Sequence, residues 1–228
     1  RPVKKLWFIT LFALSCFCFL AALKRIAIIA MAVVAVIRVI IWLFSKLSER
    51  AEKRCINIIM LIAAVLLVAY IWVIKAGVFT LMEKGGIDTS GRAYIYSHVN
   101  NYYSFSPLFV GNGIGFLTYQ LNEVVSLGVS AVHNDFLQFF VDLGFFGYIL
   151  WLLSITLLRT GYFGRGGDND TATVTALLTV YLIIVSSTDN TINYPLLTTV
   201  MGVIIMGNGY EQRVKTQQQR FETSPLFG

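Results

Sequence analysis

The chain of 228 residues is 57% hydrophobic and 13% charged, with a net charge of +6 and a mean hydropathy of +0.71. A soluble fold of this length could not hide so much apolar surface, so the composition excludes a soluble globular domain and points to a membrane protein in contact with lipid. The excess of 18 Lys and Arg over 12 Asp and Glu is placed as topology charge around apolar runs, which argues against nucleic acid as a partner.

Four apolar runs, at 6–23, 26–44, 56–74 and 136–158, are each long enough for a helix to cross a hydrocarbon core, which takes about 20 residues. Two weaker runs, 172–187 and 194–206, are shorter and rich in Thr and Ser. Hydroxyls of that kind bond to backbone or to neighbouring helices inside a bundle. The expected fold class is therefore all-α integral membrane, a polytopic bundle of about six transmembrane helices. It divides into three spans in residues 1–74, one long loop at 75–134, three spans in 135–210 and a tail at 211–228. Arg1-Pro2-Val3-Lys4-Lys5 resembles the start of a signal peptide. The run after it is long for one and no small-residue cleavage site follows, so it reads as a retained span.

The basic residues set an orientation. A cytoplasmic C-terminus puts Arg1, Lys4, Lys5, Lys46, Arg50, Lys53, Arg54, Arg159, Arg165, Arg213, Lys215 and Arg220 on the cytoplasmic side, and only Lys24, Arg25, Lys75, Lys84 and Arg92 on the other. This is the asymmetry of the positive-inside rule, and it places the long loop and His133 outside the cytoplasm. Cys16, Cys18 and Cys55 have neither zinc-site nor disulfide-framework spacing and read as packing residues.

The long loop holds Tyr94, Tyr96, Tyr102, Tyr103, Phe105, Phe109 and Phe116, too many aromatics for a solvated tail. Ser90-Gly91-Arg92 ahead of residues 93–103 predicts a helix N-capped by Ser90 and lying at the membrane interface, with Pro107 ending it. Gly111-Asn112-Gly113-Ile114-Gly115 follows no strand, so it is not a dinucleotide fingerprint. It reads as a turn that lets backbone approach a ligand or a helix.

His133-Asn134-Asp135 opens the fourth long run, with Gln138 and Asp142 following at helical spacing on one stripe. Histidine titrates nearest neutrality, and ionisable groups at membrane depth usually have a task. Taken alone, His133 reads equally as an interfacial cap, Arg92 as a snorkelling side chain and Arg25 as a headgroup anchor. All three fall on one side of the membrane, where two guanidinium groups and an imidazole could form an anion site with a proton acceptor.

The order of these pieces carries a resemblance. Gly91-Arg92, Pro107-Leu108-Phe109, Gly111-Asn112-Gly113-Ile114-Gly115-Phe116, His133-Asn134-Asp135-Phe136-Leu137-Gln138 and Asp142-Leu143-Gly144 together resemble the O-antigen ligase and polymerase superfamily. Lys24-Arg25-Ile26-Ala27 stands where that family has an arginine at the outer end of an earlier span, with Lys24 in place of the common Ser. The resemblance covers residues 20–210, and because the family has further spans upstream the chain reads as a C-terminal portion or a short member.

The resemblance implies a GT-C-like membrane glycosyltransferase of the bacterial inner membrane, working on its periplasmic or extracellular side. The donor would be a glycan on undecaprenyl pyrophosphate and the acceptor a glycan or lipid-linked sugar hydroxyl, with other polysaccharide-assembly proteins as further partners. Arg92 and Arg25 would hold the pyrophosphate, and His133 would position the acceptor hydroxyl or take its proton. Asn134, Asp135, Gly113 and Gly115 would line the substrate site. No cofactor and no metal is expected. Polymerase is preferred over ligase, the Lys24 departure fitting the more varied group. A transporter or flippase is the other-class reading and should show paired repeats or broken helices, neither of which the sequence displays. A hydrolase would need two flanking carboxylates, and Glu123 and Asp135 are not obviously paired.

Overall fold

A computed structural model of the chain describes residues 2–21, 25–124, 132–158 and 169–191, with isolated residues beyond. Among these the regular structure is helical throughout. In chain order the helices are α1 (Pro2–Ala21), α2 (Arg25–Ser45), α3 (Glu49–Lys75), α4 (Val78–Lys84), α5 (Arg92–Val99), α6 (Phe116–Tyr119), α7 (Asp135–Leu153) and α8 (Asn169–Ser186), with a 3₁₀ turn at Asn100–Tyr102. Among the described residues three helices are long and apolar enough to cross a membrane: α2, α3 and the stretch Asp135–Thr156. The apolar part of α8, Ala172–Ser186, is shorter. The sixth expected span, 194–206, the linker 161–168 and the tail 211–228 lie outside the described residues.

Helix α3 is the axis of the bundle. Ser48 caps it, its hydroxyl accepting from the Ala51 N–H at 3.1 Å. Ile56, Met60, Ala64, Leu67, Ile71 and Ile74 are buried, a stripe at steps of three and four residues, which is how a helix lays one face on its neighbours. Helices α2 and α8 pack on one side of it and α7 on another. The remaining faces leave Ile29, Val36, Ile58 and Leu66 exposed, a continuous apolar exterior that suits lipid rather than water. The hydroxyls of α8 are used as its composition predicts: Thr179 donates to the Thr175 carbonyl at 2.7 Å, and Thr173 to Glu52 at 3.3 Å. Cys55 is buried, whereas Cys16 is exposed on α1 and is not a packing residue.

One expectation is corrected. Helix α5 buries Ala93, Ile95, Tyr96 and Val99 and packs on α4, with the Tyr96 ring edge-on to Phe79 at 4.9 Å. Ser90 does not cap it. Gly91 is the N-cap in the left-handed conformation (φ 77°), and the hydroxyl that accepts from the helix is that of Thr89, from the Ala93 N–H at 3.2 Å.

The fourth span is not continuous either. At Gly144 the backbone of α7 leaves helical geometry (φ 75°, ψ −178°). A broken helix strands polar groups in hydrocarbon unless something else bonds them, and here the glycine-rich turn does so. The Asn112 and Gly113 N–H groups donate to the Val141 and Asp142 carbonyls (3.1 and 3.0 Å), and the Phe145 N–H donates to the Phe109 carbonyl (2.8 Å). The Asp142 carboxylate completes the clasp, accepting from the N–H groups of Gly115 (2.9 Å) and Leu117 (3.1 Å). The two backbones run so close that a Cβ on Gly144 would lie 2.3 Å from the Val110 carbonyl carbon, which is why the crossing is glycine against glycine.

Candidate active site

The starts of α2, α5 and α7 and the end of α8 come together at the loop end of the bundle. Between them lies a hollow of about 650 Å³ lined by Arg25, Ile26, Ile29, Asp88, Ser90, Arg92, His133, Thr188 and Asp189. Arg25, Arg92 and His133, separated by up to 108 positions in the sequence, therefore share one cavity. Arg25 is the first residue of α2 and Arg92 the first of α5, and His133 stands two residues before α7. Three helix N-termini thus converge here, each carrying a positive partial charge that favours an anion.

Each side chain is held differently. The Arg92 guanidinium donates through Nη2 to the Thr188 carbonyl at 3.0 Å, and its Nε is buried without a partner among the described residues. One corner of the fork is pinned to backbone, and an unused donor remains at a site where buried donors are normally satisfied. Arg25 is exposed. His133 is half exposed, with Nδ1 3.8 Å from the Asp189 carboxylate, which is 14% exposed. The carboxylate lies on the Nδ1 side of the ring, and Nε2 is the nitrogen on the other side. Among the described residues, both non-glycine residues with positive φ, Ser90 and His133 (φ 54° each), line this hollow. Strained backbone of this kind concentrates at functional sites.

The other motif residues lie behind the hollow or away from it. Asn134 is fully buried. Its Oδ1 caps α7 by accepting from the Leu137 N–H (3.0 Å), and its Nδ2 donates to the hydroxyls of Tyr96 (3.2 Å) and Tyr70 (3.4 Å). Burial pushes the Tyr96 phenol above its ordinary range, opposed by the Asn134 bond and nearby Arg92, so it stands behind the hollow as a neutral group. Asp135, also buried, accepts from Thr191 Oγ1 at 2.6 Å, and Thr191 is in turn bonded to Ser186. These bonds tie the end of α8 to the start of α7 and so hold Asp189 beside His133. Gly113 and Gly115 belong to the clasp on α7 and do not line the hollow.

Asp88, Ser90, Thr188 and Asp189 are the lining residues that sequence reading did not single out. The signal for Asp189 was modest: a short polar run between apolar segments, on the same side as His133. Nothing marked Thr188, because it contributes a backbone carbonyl. Among the described residues no cluster of three His, Cys, Asp or Glu side chains is arranged to hold a metal ion.

A model of the O-antigen ligase family matches residues 10–152. The chain belongs to that family. The matched stretch contains Arg25, Arg92, His133 and the clasp on α7, and ends before Asp189. No curated protein and no solved structure matches the chain. Membership puts the protein among membrane-embedded ligases and polymerases of glycans, in keeping with its apolar helices.

Proposed function

We propose that the protein transfers a glycan from an undecaprenyl-pyrophosphate-linked donor to a sugar hydroxyl at the outer face of a bacterial inner membrane, as a polysaccharide polymerase. The observation that carries the reading is the convergence of Arg25, Arg92 and His133 in one hollow. In the reaction the acceptor oxygen forms a bond to the anomeric carbon while the bond from that carbon to the pyrophosphate oxygen breaks. The departing electron pair stays on the pyrophosphate. Arg92 and Arg25 face that growing charge, and fixed donors placed where charge develops are usually the largest catalytic contribution. The anchored fork of Arg92 suits phosphate oxygens. His133 takes the acceptor proton at Nε2, and Asp189 orients the ring and steadies the imidazolium. The charge asymmetry of the loops puts the hollow on the periplasmic or extracellular side and the C-terminus in the cytoplasm.

The test is a transfer assay with lipid-linked glycan on purified protein. His133→Ala should lower the rate about 10²–10⁴-fold, the usual worth of a positioned acid–base group, and Arg92→Ala should abolish transfer while the protein still inserts. Arg92→Lys retains charge but not the fork, so near-normal activity would reduce the proposed recognition to simple charge. Full activity in His133→Ala would remove the proton-transfer role. The family description favours a second reading, in which the acceptor is lipid A–core and the protein is a ligase. Supplying lipid A–core and lipid-linked repeats separately, and asking which grows, decides between the two.

A further inference from the structure

Helix α3 lines no part of the hollow, yet one of its side chains reaches the frame that holds the site. Tyr70 stands five residues before the end of α3 at Lys75, and its hydroxyl donates to the Ser187 carbonyl at 2.9 Å. The next carbonyl along the chain, that of Thr188, is the one that receives Arg92 Nη2 at 3.0 Å. Two successive carbonyls at the end of α8 are thus gripped from two directions, one by the axis of the bundle and one by the guanidinium. The last turn of a helix leaves its carbonyls without intrahelical donors, and here those open acceptors serve as a joint between α3 and α5.

The Tyr70 hydroxyl has one hydrogen to give, and its neighbours decide where it goes. Asn134 caps α7 with Oδ1, which accepts from the Leu137 N–H at 3.0 Å. Its Nδ2 therefore faces the other way and donates to Tyr70 at 3.4 Å and to Tyr96 at 3.2 Å. A donor already on the Tyr70 oxygen turns the phenol's own O–H toward Ser187. Phe79 of α4 meets the Tyr70 ring edge-on at 6.4 Å. The bonds run in one sense from the cap of α7, through Tyr70, to the backbone beside Arg92, and bonds aligned in this way polarise and strengthen one another.

Arg92 is anchored at one corner only, since its Nε has no partner among the described residues. A shift of the Thr188 carbonyl would swing the whole fork. We propose that Tyr70 is a positioning residue, whose hydroxyl sets the aim of Arg92 through the peptide between Ser187 and Thr188. It rests on the proposed reading of the hollow and adds a group outside the hollow on which transfer depends. Tyr70 touches no substrate and acts only through Arg92.

The experiment measures glycan transfer, and binding of inorganic pyrophosphate, by the full chain in nanodiscs. Tyr70→Phe keeps the ring and removes only the hydroxyl. Transfer should fall about tenfold or more, since a misplacement of about 1 Å can cost ~10²-fold. Tyr148→Phe is the control. Its hydroxyl is also buried and donates to a backbone carbonyl, that of Leu67 at 3.4 Å, but reaches nothing that lines the hollow, so transfer should stay at the wild-type rate. p-Aminophenylalanine at position 70 returns a donor to Ser187 and should recover most of the lost rate. In an Arg92→Lys background no fork is left to aim, so Tyr70→Phe should cost less there than in the wild type, a coupling that a merely stabilising hydroxyl would not show. Wild-type transfer by Tyr70→Phe, an equal fall in Tyr148→Phe, no recovery with the amine, equal losses in both Arg92 backgrounds, or a Tyr70→Phe chain that fails to insert would each overturn the positioning role and leave the hollow standing. Absence of pyrophosphate binding by the wild type would instead overturn the reading of the hollow, and the role of Tyr70 with it.

Discussion

His133 and Ser90 both hold a left-handed backbone without being glycine, and both face the same cavity. A non-glycine residue in that region costs about 1–3 kcal/mol, so the fold tolerates strain where the side chain is needed. Function and stability should therefore separate at His133. His133→Gly is expected to leave thermal stability in detergent unchanged, or raise it by about 1 kcal/mol through relief of strain, while glycan transfer falls as far as in His133→Ala. A clear loss of stability would show that the imidazole is a structural group. Asp189 should behave as a positioning residue. Asp189→Asn should lower transfer less than removal of His133 does, because the ring keeps a polar neighbour of the same shape on its Nδ1 side. A loss as large as that of His133→Ala would show that Asp189 does more than position the ring.

At the scale of elements, the clasp on α7 is the feature most exposed to substitution. A Cβ at Gly144 would overlap backbone of residues 109–111 at 2.3–2.6 Å and would also require φ 75° of an alanine. Gly144→Ala is expected to destabilise by about 1–3 kcal/mol or more, read as a lower melting temperature, and a variant that melts like wild type would refute the close crossing. Helix α5 gives a pH signature. The phenols of Tyr96 and Tyr103 are both raised by burial, so the folded state keeps protons that the unfolded chain loses from the ordinary tyrosine value of 10.0 upward. Fewer protons in the unfolded state mean that stability is intact below that pH and falls as pH rises above it. Tyr96→Phe should soften this alkaline loss, measured as melting temperature against pH, and an identical slope in the variant would rule the phenol out as a source. Sequence reading found α2, α3, α5 and the start of α7, because apolar runs and a proline are local signals, although the cap of α5 falls on Gly91 and not on Ser90. It missed the break at Gly144. Asp142-Leu143-Gly144-Phe145 reads as ordinary span, and the partner that satisfies the break lies some 30 residues upstream. It also left open whether the glycine cluster approached a ligand or a helix, and the observed bonds give the helix.

For the whole molecule, the ends of the bundle are chemically distinct. The loop end gathers the hollow and three helix starts, whereas the other end buries Glu52 beside Thr173. The proposed orientation puts the first outside the cytoplasm. In a background without Cys16, Cys18 and Cys55, Ile87→Cys at the exposed loop end should react with a membrane-impermeant maleimide on intact cells, and Leu47→Cys in the turn between α2 and α3 should not. The reverse pattern would invert the topology and move the hollow to the cytoplasmic face. The charge asymmetry of the sequence is what supports this orientation. The shared cavity was a guess from sidedness alone, since no local pattern says that residues 25, 92 and 133 meet. Asp189 escaped because its part depends on the ties from Asp135 through Thr191 to Ser186, which only the assembled helices bring about.

The interrupted α7 also bears on how the protein is made. A span released into the bilayer as an independent unit must satisfy its own backbone, and α7 cannot, because the Phe145 N–H finds its acceptor in Phe109. That acceptor leaves the ribosome first, so the dock is already synthesised when the broken span emerges. Biogenesis of this region is then a joint event in which a returning loop and a late helix enter the lipid as one hydrogen-bonded package.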